Sequence, residues 1–184
     1  NMPEHGTMNL HASLLPQYRG AAPINWAIMN GEKETGVSTF LLKHEIDTGD
    51  LLEQEKVAIT PNMNAGELHD TLMEVGARLV VKSTTAIANG TTNPQPQQDL
   101  ELKAAPKIFK PDCKIDWSQP IDQIHNFIRG LSPYPAAWSV LQDKASGKKL
   151  TFKIQEVDKL LEDHHHSAGK IITDDKTELK IAVD

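Results

Sequence analysis

From Asn64 to Ala88 the sequence admits one reading. Asn64-x-x-Glu67 has the form of a capping box, in which each side chain bonds the other residue's backbone N–H. Leu68, Leu72, Val75 and Leu79 then recur at helical spacing, followed by Ala86 and a stop at Asn89-Gly90. Any fold of this chain must cover that apolar stripe. Gly36–Lys43 is equally clear as a strand. Val37, Thr39 and Leu41 alternate with Ser38, Phe40 and Leu42, so the run is apolar or β-branched on both faces and reads as buried on both.

The remaining elements are shorter. Thr7–Leu10 reads as the end of a strand. Pro23 suits a first helical turn, and Ile24, Ala27 and Ile28 mark one face of a helix ending near Asn30-Gly31. Leu51–Ile59 reads as another strand. Residues 90–98, polar with two prolines, read as a linker, and 103–114 is similar. Ser118 caps an expected helix with Pro120 in its first turn, Ile121, Ile124 and Ile128 on one face, and Gly130 at its end. Pro133-Tyr134-Pro135 is a rigid turn. Beyond it come short strands at 137–141, 150–157, 169–173 and 178–183, with a turn at 145–148. That spacing suggests a small barrel or sandwich.

The chain has 184 residues and a net charge of −6, which argues against a whole-surface grip on nucleic acid. The average conceals a basic middle, since residues 99–153 hold 9 basic and 6 acidic side chains. A local phosphate-facing surface and an ordinary lysine-rich surface are both consistent with it. No apolar run is long enough to span a membrane. The lone Cys113 excludes an internal disulfide and fits a reducing cytoplasm.

Chemistry concentrates at the start of the chain. Asn9 and His11 lie two apart, so on a strand they share a side. An amide beside an imidazole where a strand becomes a loop is a common active-site arrangement in α/β sheets. Taken alone, the pair is better explained as a buried, bonded histidine and a turn asparagine. The wider pattern changes the balance. Asn9-x-His11-x-Ser13-Leu14-Leu15-Pro16, then Arg19-Gly20-Ala21-Ala22-Pro23-Ile24, then Asp47-Thr48-Gly49-Asp50, resembles the formyltransferases that use 10-formyltetrahydrofolate.

That resemblance implies several things. The fold class is α/β, with the C-terminal half of a Rossmann-like formyltransferase domain over residues 1–98. A link and short helix follow over 99–133, then the start of an OB-like β-barrel over 134–184. The chain then reads as a piece lacking strand–helix units upstream and the end of the barrel. An uncovered sheet edge would make pairing of two copies a hazard, whereas the intact enzyme is expected to be monomeric.

Asn9, His11 and Asp47 match the family's catalytic residues. Ser13, Leu14, Leu15 and Pro16 match its folate-lining segment. The donor would be 10-formyltetrahydrofolate, with no metal. The acceptor would be an initiator methionyl-tRNA, with an amino-sugar nucleotide or glycinamide ribonucleotide as rivals. A fragment that only binds tRNA or serves as a scaffold is the rival from another class. Formyl transfer needs donors aimed at a developing oxyanion and a proton relay. Asn9 offers an amide N–H₂, His11 a charge-assisted donor, and Asp47 would orient the ring and favour its protonated form.

Other candidates carry less. Ser13 lacks a Gly-x-Ser-x-Gly elbow, which argues against a serine hydrolase. Arg19 reads as a substrate contact or a solvated loop charge. Arg129 reads as a tRNA phosphate contact or a solvated helix end. His164-His165-His166 reads as a polar loop, because no further ligand is spaced to complete a metal site. Cys113 has no neighbour to activate it. Trp26, Trp117 and Trp138 read as core or domain-junction residues.

Overall fold

The structure is a computed structural model that describes residues 3–98, 101–143, 146–174 and 176–183. The first half is built on a three-stranded sheet. Strand β1 (Met8–His11) and β4 (Leu51–Ala58) flank β3 (Glu34–Leu41), and both pairings are antiparallel. The link between β3 and β4 is too short for a crossover, so that pair has to be antiparallel. Between β1 and β3 lie the two-residue strand β2 (Arg19–Gly20) and helix α1 (Pro23–Met29). The Gly36–Lys43 expectation thus holds with a shift of two residues. Thr35–Phe40 of β3 is buried without a break, as its two-sided pattern requires.

Helix α2 (Ala65–Ala88) covers one face of the sheet with Leu68, Leu72, Val75, Leu79 and Ser83. Its capping box is complete: Glu67 N–H donates to Asn64 Oδ1 at 3.0 Å, and Asn64 N–H to Glu67 Oε2 at 2.9 Å. The helix passes close over β1 at Gly76, where a Cβ would lie 2.7 Å from Leu10 Cδ2. Thr39 and Ser83 share a buried hydroxyl–hydroxyl bond of 2.7 Å at this interface. The core formed here holds Ile28, Val37, Leu68, Leu72 and Leu79.

The segment expected to be a linker is ordered. Residues 104–105 form β5 (Ala104–Ala105), which pairs parallel with β2. A 3₁₀ turn (Lys110–Cys113) follows, then α3 (Ile121–Gly130). A second core gathers Cys113, Ile115, Ile124, Ile128, Leu131 and Ala137. Helix α3 packs on α1, and Asn25 Nδ2 donates to the Gly130 carbonyl at 2.7 Å.

The three tryptophans lie at such joints, half-buried. Trp26 Nε1–H donates to Pro106 O, Trp117 to Ser139 Oγ and Trp138 to Lys110 O. After the joint come two hairpins, β6–β7 (Ala137–Gln142 with Lys149–Ile154) and β8–β9 (Ile171–Thr173 with Leu179–Ile181). They are separate two-stranded ladders, and no closed barrel forms among the described residues. The expected turn at 145–148 begins on Ala145, outside the described residues, and continues through Gly147, whose φ is 69°.

Arg129 is not a solvated helix end. It is 7% exposed, and its Nη1 donates to Met63 O at 2.7 Å while Nε donates to Asn126 Oδ1 at 2.9 Å. The last turn of α3 faces the segment before α2, so the guanidinium satisfies carbonyls inside the joint. Next to it on α3, His125 is also buried. Burial, then the charges of Lys159 and Arg129, pushes its imidazole below the usual 6.5, with Asp122 and Asp158 opposing.

Two outcomes follow. Asn64→Ala should cost about 1 kcal/mol, seen as a lower chemical-denaturation midpoint with unchanged slope. His125 binds a proton more readily unfolded than folded, so stability is unaffected well above 6.5 and falls as pH drops through it. The loss of melting temperature between about pH 7.5 and about pH 5.5 should therefore be smaller in His125→Asn.

Candidate active site

His11 is the last residue of β1 and lies opposite Ser38 of β3. Its Nε2 lies 2.8 Å from the Tyr18 carbonyl, which can only accept, so Nε2 carries the hydrogen. Nδ1 then faces Asp47 Oδ2 at 3.6 Å, ion-pair range rather than hydrogen-bond range. Both side chains are withdrawn from solvent, 8% and 12% exposed. Asp47 Oδ2 also accepts from Gly20 N–H at 3.0 Å.

Both groups that meet the imidazole are held in left-handed backbone, Tyr18 at φ 59° and Asp47 at φ 55°. Aspartate tolerates that region, whereas a bulky tyrosine adopts it at a cost. Such conformations persist where the surroundings enforce them and gather at functional sites. The Tyr18 ring is enforced from its far end. Its hydroxyl donates to Glu32 at 2.6 Å and accepts from Asn30 Nδ2 at 3.1 Å. Burial, ahead of the Glu32 contact, pushes the phenol well above its usual range, so it stays a donor. Burial alone would raise Glu32, but hydrogen bonds from Lys103 and Tyr18 outweigh it and hold that carboxyl below its usual value.

Asn9 is on the same side of β1 but exposed. Its Oδ1 accepts from Leu10 N–H at 2.9 Å, and its amide N–H₂ has no protein partner among the described residues. The strand thus presents a free amide donor two residues from the buried His11–Asp47 pair.

The loop Ser13–Pro16 is anchored by Ser38. The Ser38 hydroxyl donates to Ser13 O at 2.6 Å and accepts from Leu15 N–H at 3.0 Å and Gln54 Nε2 at 2.8 Å. Ser13 Oγ donates to Gln17 O, so it is not free to act as a nucleophile. Ser13 and Leu15 are buried, while Leu14 and Pro16 are half-exposed.

Arg19 is half-buried and engaged on one side. Its Nη2 and Nε donate to Gln97 Oε1 at 2.6 and 3.1 Å. The next residue, Gly20, has φ 127°, and a Cβ there would lie 2.4 Å from the Ala105 carbonyl. That close approach lets β5 pair with β2 and leaves the Gly20 N–H aimed at Asp47. The sequence offered no signal for Gln97 or Ser38, which lie far from the motif along the chain.

Beside Ala21 and Ala22 a cleft of about 570 Å³ opens, lined by Lys107, Lys110, Lys153, Tyr134 and Trp138. Part of the basic middle segment therefore converges on one place. Elsewhere in that segment Lys103 pairs with Glu32 and Lys114 lies 5.9 Å over the Trp138 ring, while within the cleft Lys107 lies 5.4 Å from the centre of the Phe109 ring. Lys144 lies outside the described residues. His164 and His166 stack on one another in an exposed loop. Among the described residues no cluster of His, Cys, Asp and Glu is placed to hold a metal. None of the described helices is long and apolar enough to cross a membrane.

Two family profiles divide the chain between them. Formyl transferase matches residues 1–84, and Formyl transferase, C-terminal domain, matches 107–184. The chain belongs to the formyltransferase family. A curated methionyl-tRNA formyltransferase of Bacteroides fragilis is 52% identical over 100% of this chain and 57% of its own length. One from Azobacteroides pseudotrichonymphae is 54% identical over 98% and 57%. The chain therefore spans under two thirds of the relatives it matches. Among solved structures, an N-formyltransferase from Helicobacter canadensis, crystallised with folinic acid and dTDP-3-aminofucose, superposes with a TM-score of 0.62 at 25% identity. That match covers 74% of this chain and 55% of the other.

The Ser38 anchor is open to test. Ser38→Ala removes one buried donor and strands Leu15 N–H, so stability should fall by about 1–3 kcal/mol. Amide hydrogen exchange at Leu15 should accelerate by more than at β4 amides that do not depend on Ser38.

Proposed function

We propose that the full-length protein transfers a formyl group from 10-formyltetrahydrofolate to the amino group of an initiator methionyl-tRNA. The observation that carries the reading is the buried His11–Asp47 pair beside the free amide of Asn9. The identity of more than 50% to curated methionyl-tRNA formyltransferases supports the acceptor.

In this reading the acceptor amine attacks the formyl carbon. A C–N bond forms, the carbonyl oxygen becomes an oxyanion, and the bond to the folate nitrogen breaks. Asn9 donates its free N–H to the oxyanion. Because His11 Nε2–H is committed to the Tyr18 carbonyl, Nδ1 and Asp47 mark the place where the amine's proton is collected. That proton is then returned to the departing folate nitrogen. A protonated His11 ring also adds positive charge next to the oxyanion in a water-poor setting.

The donor would meet the loop through Leu14 and Pro16, while Ser13 and Leu15 hold it from behind. The chemistry of this set fits a neutral acyl donor, since it offers an amide donor and a proton carrier and needs no covalent nucleophile.

The cleft with Lys107, Lys110 and Lys153 is suited to a phosphate backbone, and its exposed Tyr134 to a stacked base. The division is proposed as 1–98 for the catalytic half, 99–133 for the link and 134–184 for the start of an OB-like barrel. The upstream half would complete a Rossmann-like sheet along the outer edge of β1 and leave the intact enzyme monomeric. Its substrate would place it in the cytoplasm.

The Helicobacter relative, crystallised with dTDP-3-aminofucose, favours a second reading in which the same chemistry formylates an amino-sugar nucleotide.

The deciding assay gives both acceptors to a chain extended to the length of its relatives, with 10-formyltetrahydrofolate. Formylated methionyl-tRNA supports the first reading, and a formylated sugar nucleotide moves the assignment. Asn9→Ala, His11→Ala and Asp47→Ala should each raise the barrier by about 3–4 kcal/mol, a 10²–10³-fold loss of kcat with KM largely kept. Normal turnover in any of them would remove that residue from the mechanism.

A further inference from the structure

Gln97 lies in the segment after α2 that its composition marks as a polar linker, yet its side chain is fully engaged. Nε2 donates to the carbonyls of Asp47 and Gly49, both at 2.8 Å. Oε1 accepts from Nε and Nη2 of Arg19. A primary amide has two N–H groups and two lone pairs, and all four are used. Two residues earlier, Gln95 exchanges backbone bonds with Leu51 at 2.7 and 2.9 Å, which fixes the segment against the start of β4.

These bonds close a circuit around one residue. Arg19 grips Gln97, and Gln97 grips the backbone on both sides of Thr48. Gly20, next to Arg19, donates its N–H to Asp47 Oδ2. Asp47 is thus held at its side chain by Gly20 and at its carbonyl by Gln97, while its backbone stays left-handed at φ 55°. Aspartate tolerates that region without enforcing it, so the tethers are what hold the loop in it. The carboxylate lies 3.6 Å from His11 Nδ1, so a small relaxation of residues 47–49 separates the pair.

We propose that Gln97 is a positioning residue that holds the Asp47 carboxylate against His11, acting through the loop backbone and Arg19 without touching substrate. The inference rests on the formyl-transfer reading only for its kinetic consequence.

Two variants separate the contacts. Gln97→Met keeps the side chain's length and removes all four bonds. Gln97→Glu keeps an acceptor for Arg19 and removes the donors to Asp47 O and Gly49 O. The first readout is the ring ¹⁵N signals of His11 in this chain, with the indole N–H signals of Trp117 and Trp138 as the folding control. Both variants should move the His11 signals in the direction set by Asp47→Asn while the indole signals stay in place. In the full-length enzyme kcat should fall on the order of tenfold to hundredfold, with KM for both substrates unchanged.

Unchanged His11 signals in Gln97→Met would overturn the proposal. So would a loss confined to KM. If the parent full-length enzyme formylates no methionyl-tRNA, the reaction assignment fails, and the His11 spectrum still decides the role of Gln97.

Discussion

Strand β3 is buried on both faces and carries hydroxyls on both, and the architecture follows from what those hydroxyls must do. A buried polar group without a partner costs as much as a typical destabilising mutation. Ser38 and Thr39 are neighbours, so they point to opposite faces. Ser38 resolves its need by gripping the loop that follows His11. Thr39 resolves its need on Ser83 of α2. One strand thus fixes the site loop from one side and the long helix from the other, and any movement of β3 would reach both.

The site is assembled by backbone groups as much as by side chains. The Tyr18 carbonyl sets which nitrogen of His11 carries hydrogen, and the Gly20 N–H holds Asp47. Both contacts need unusual backbone: left-handed at Tyr18 and Asp47, and a conformation open to glycine at Gly20. The strain is opposed by bonds that lie further out: the tyrosine hydroxyl donates to Glu32 and accepts from Asn30, and Ala21 and Ala22 N–H donate to the Ala105 carbonyl. The segment around 103–105 therefore serves the first half of the chain directly. Tyr18 N–H donates to Lys103 O at 2.6 Å, and β5 pairs with β2.

Periodicity made the helices and strands legible. The α2 stripe and its cap, the two-sided β3 and the apolar face of α3 each declare themselves within a few residues. Their bounds moved by only one or two positions. Polar segments were less legible. The stretch containing Gln95 and Gln97 looks like a solvated linker because its composition is polar. Its order comes from contacts with Leu51, Asp47 and Arg19, which no local pattern reports. Arg129 is a similar case: a charge in the last turn of a helix ordinarily points to water, and here the neighbouring segment supplies carbonyls instead. The pairings of β1 with β3 and of β2 with β5 likewise join strands that are distant along the chain, whereas β6–β7 and β8–β9 are local hairpins.

What the sequence determined by itself was the set of local elements, because periodicity along a strand or helix and a capping box are short-range properties; Asn9, His11 and Asp47 stood out only through the resemblance of their motifs to the formyltransferases. The tertiary structure alone decided that His11 meets Asp47, that Tyr18 fixes the ring, and that Gln97 and Ser38 hold the loops in place. Those contacts join residues up to 78 positions apart. Their geometry is set by which buried donor finds which acceptor once β3 is covered, and that matching exists only in the folded chain.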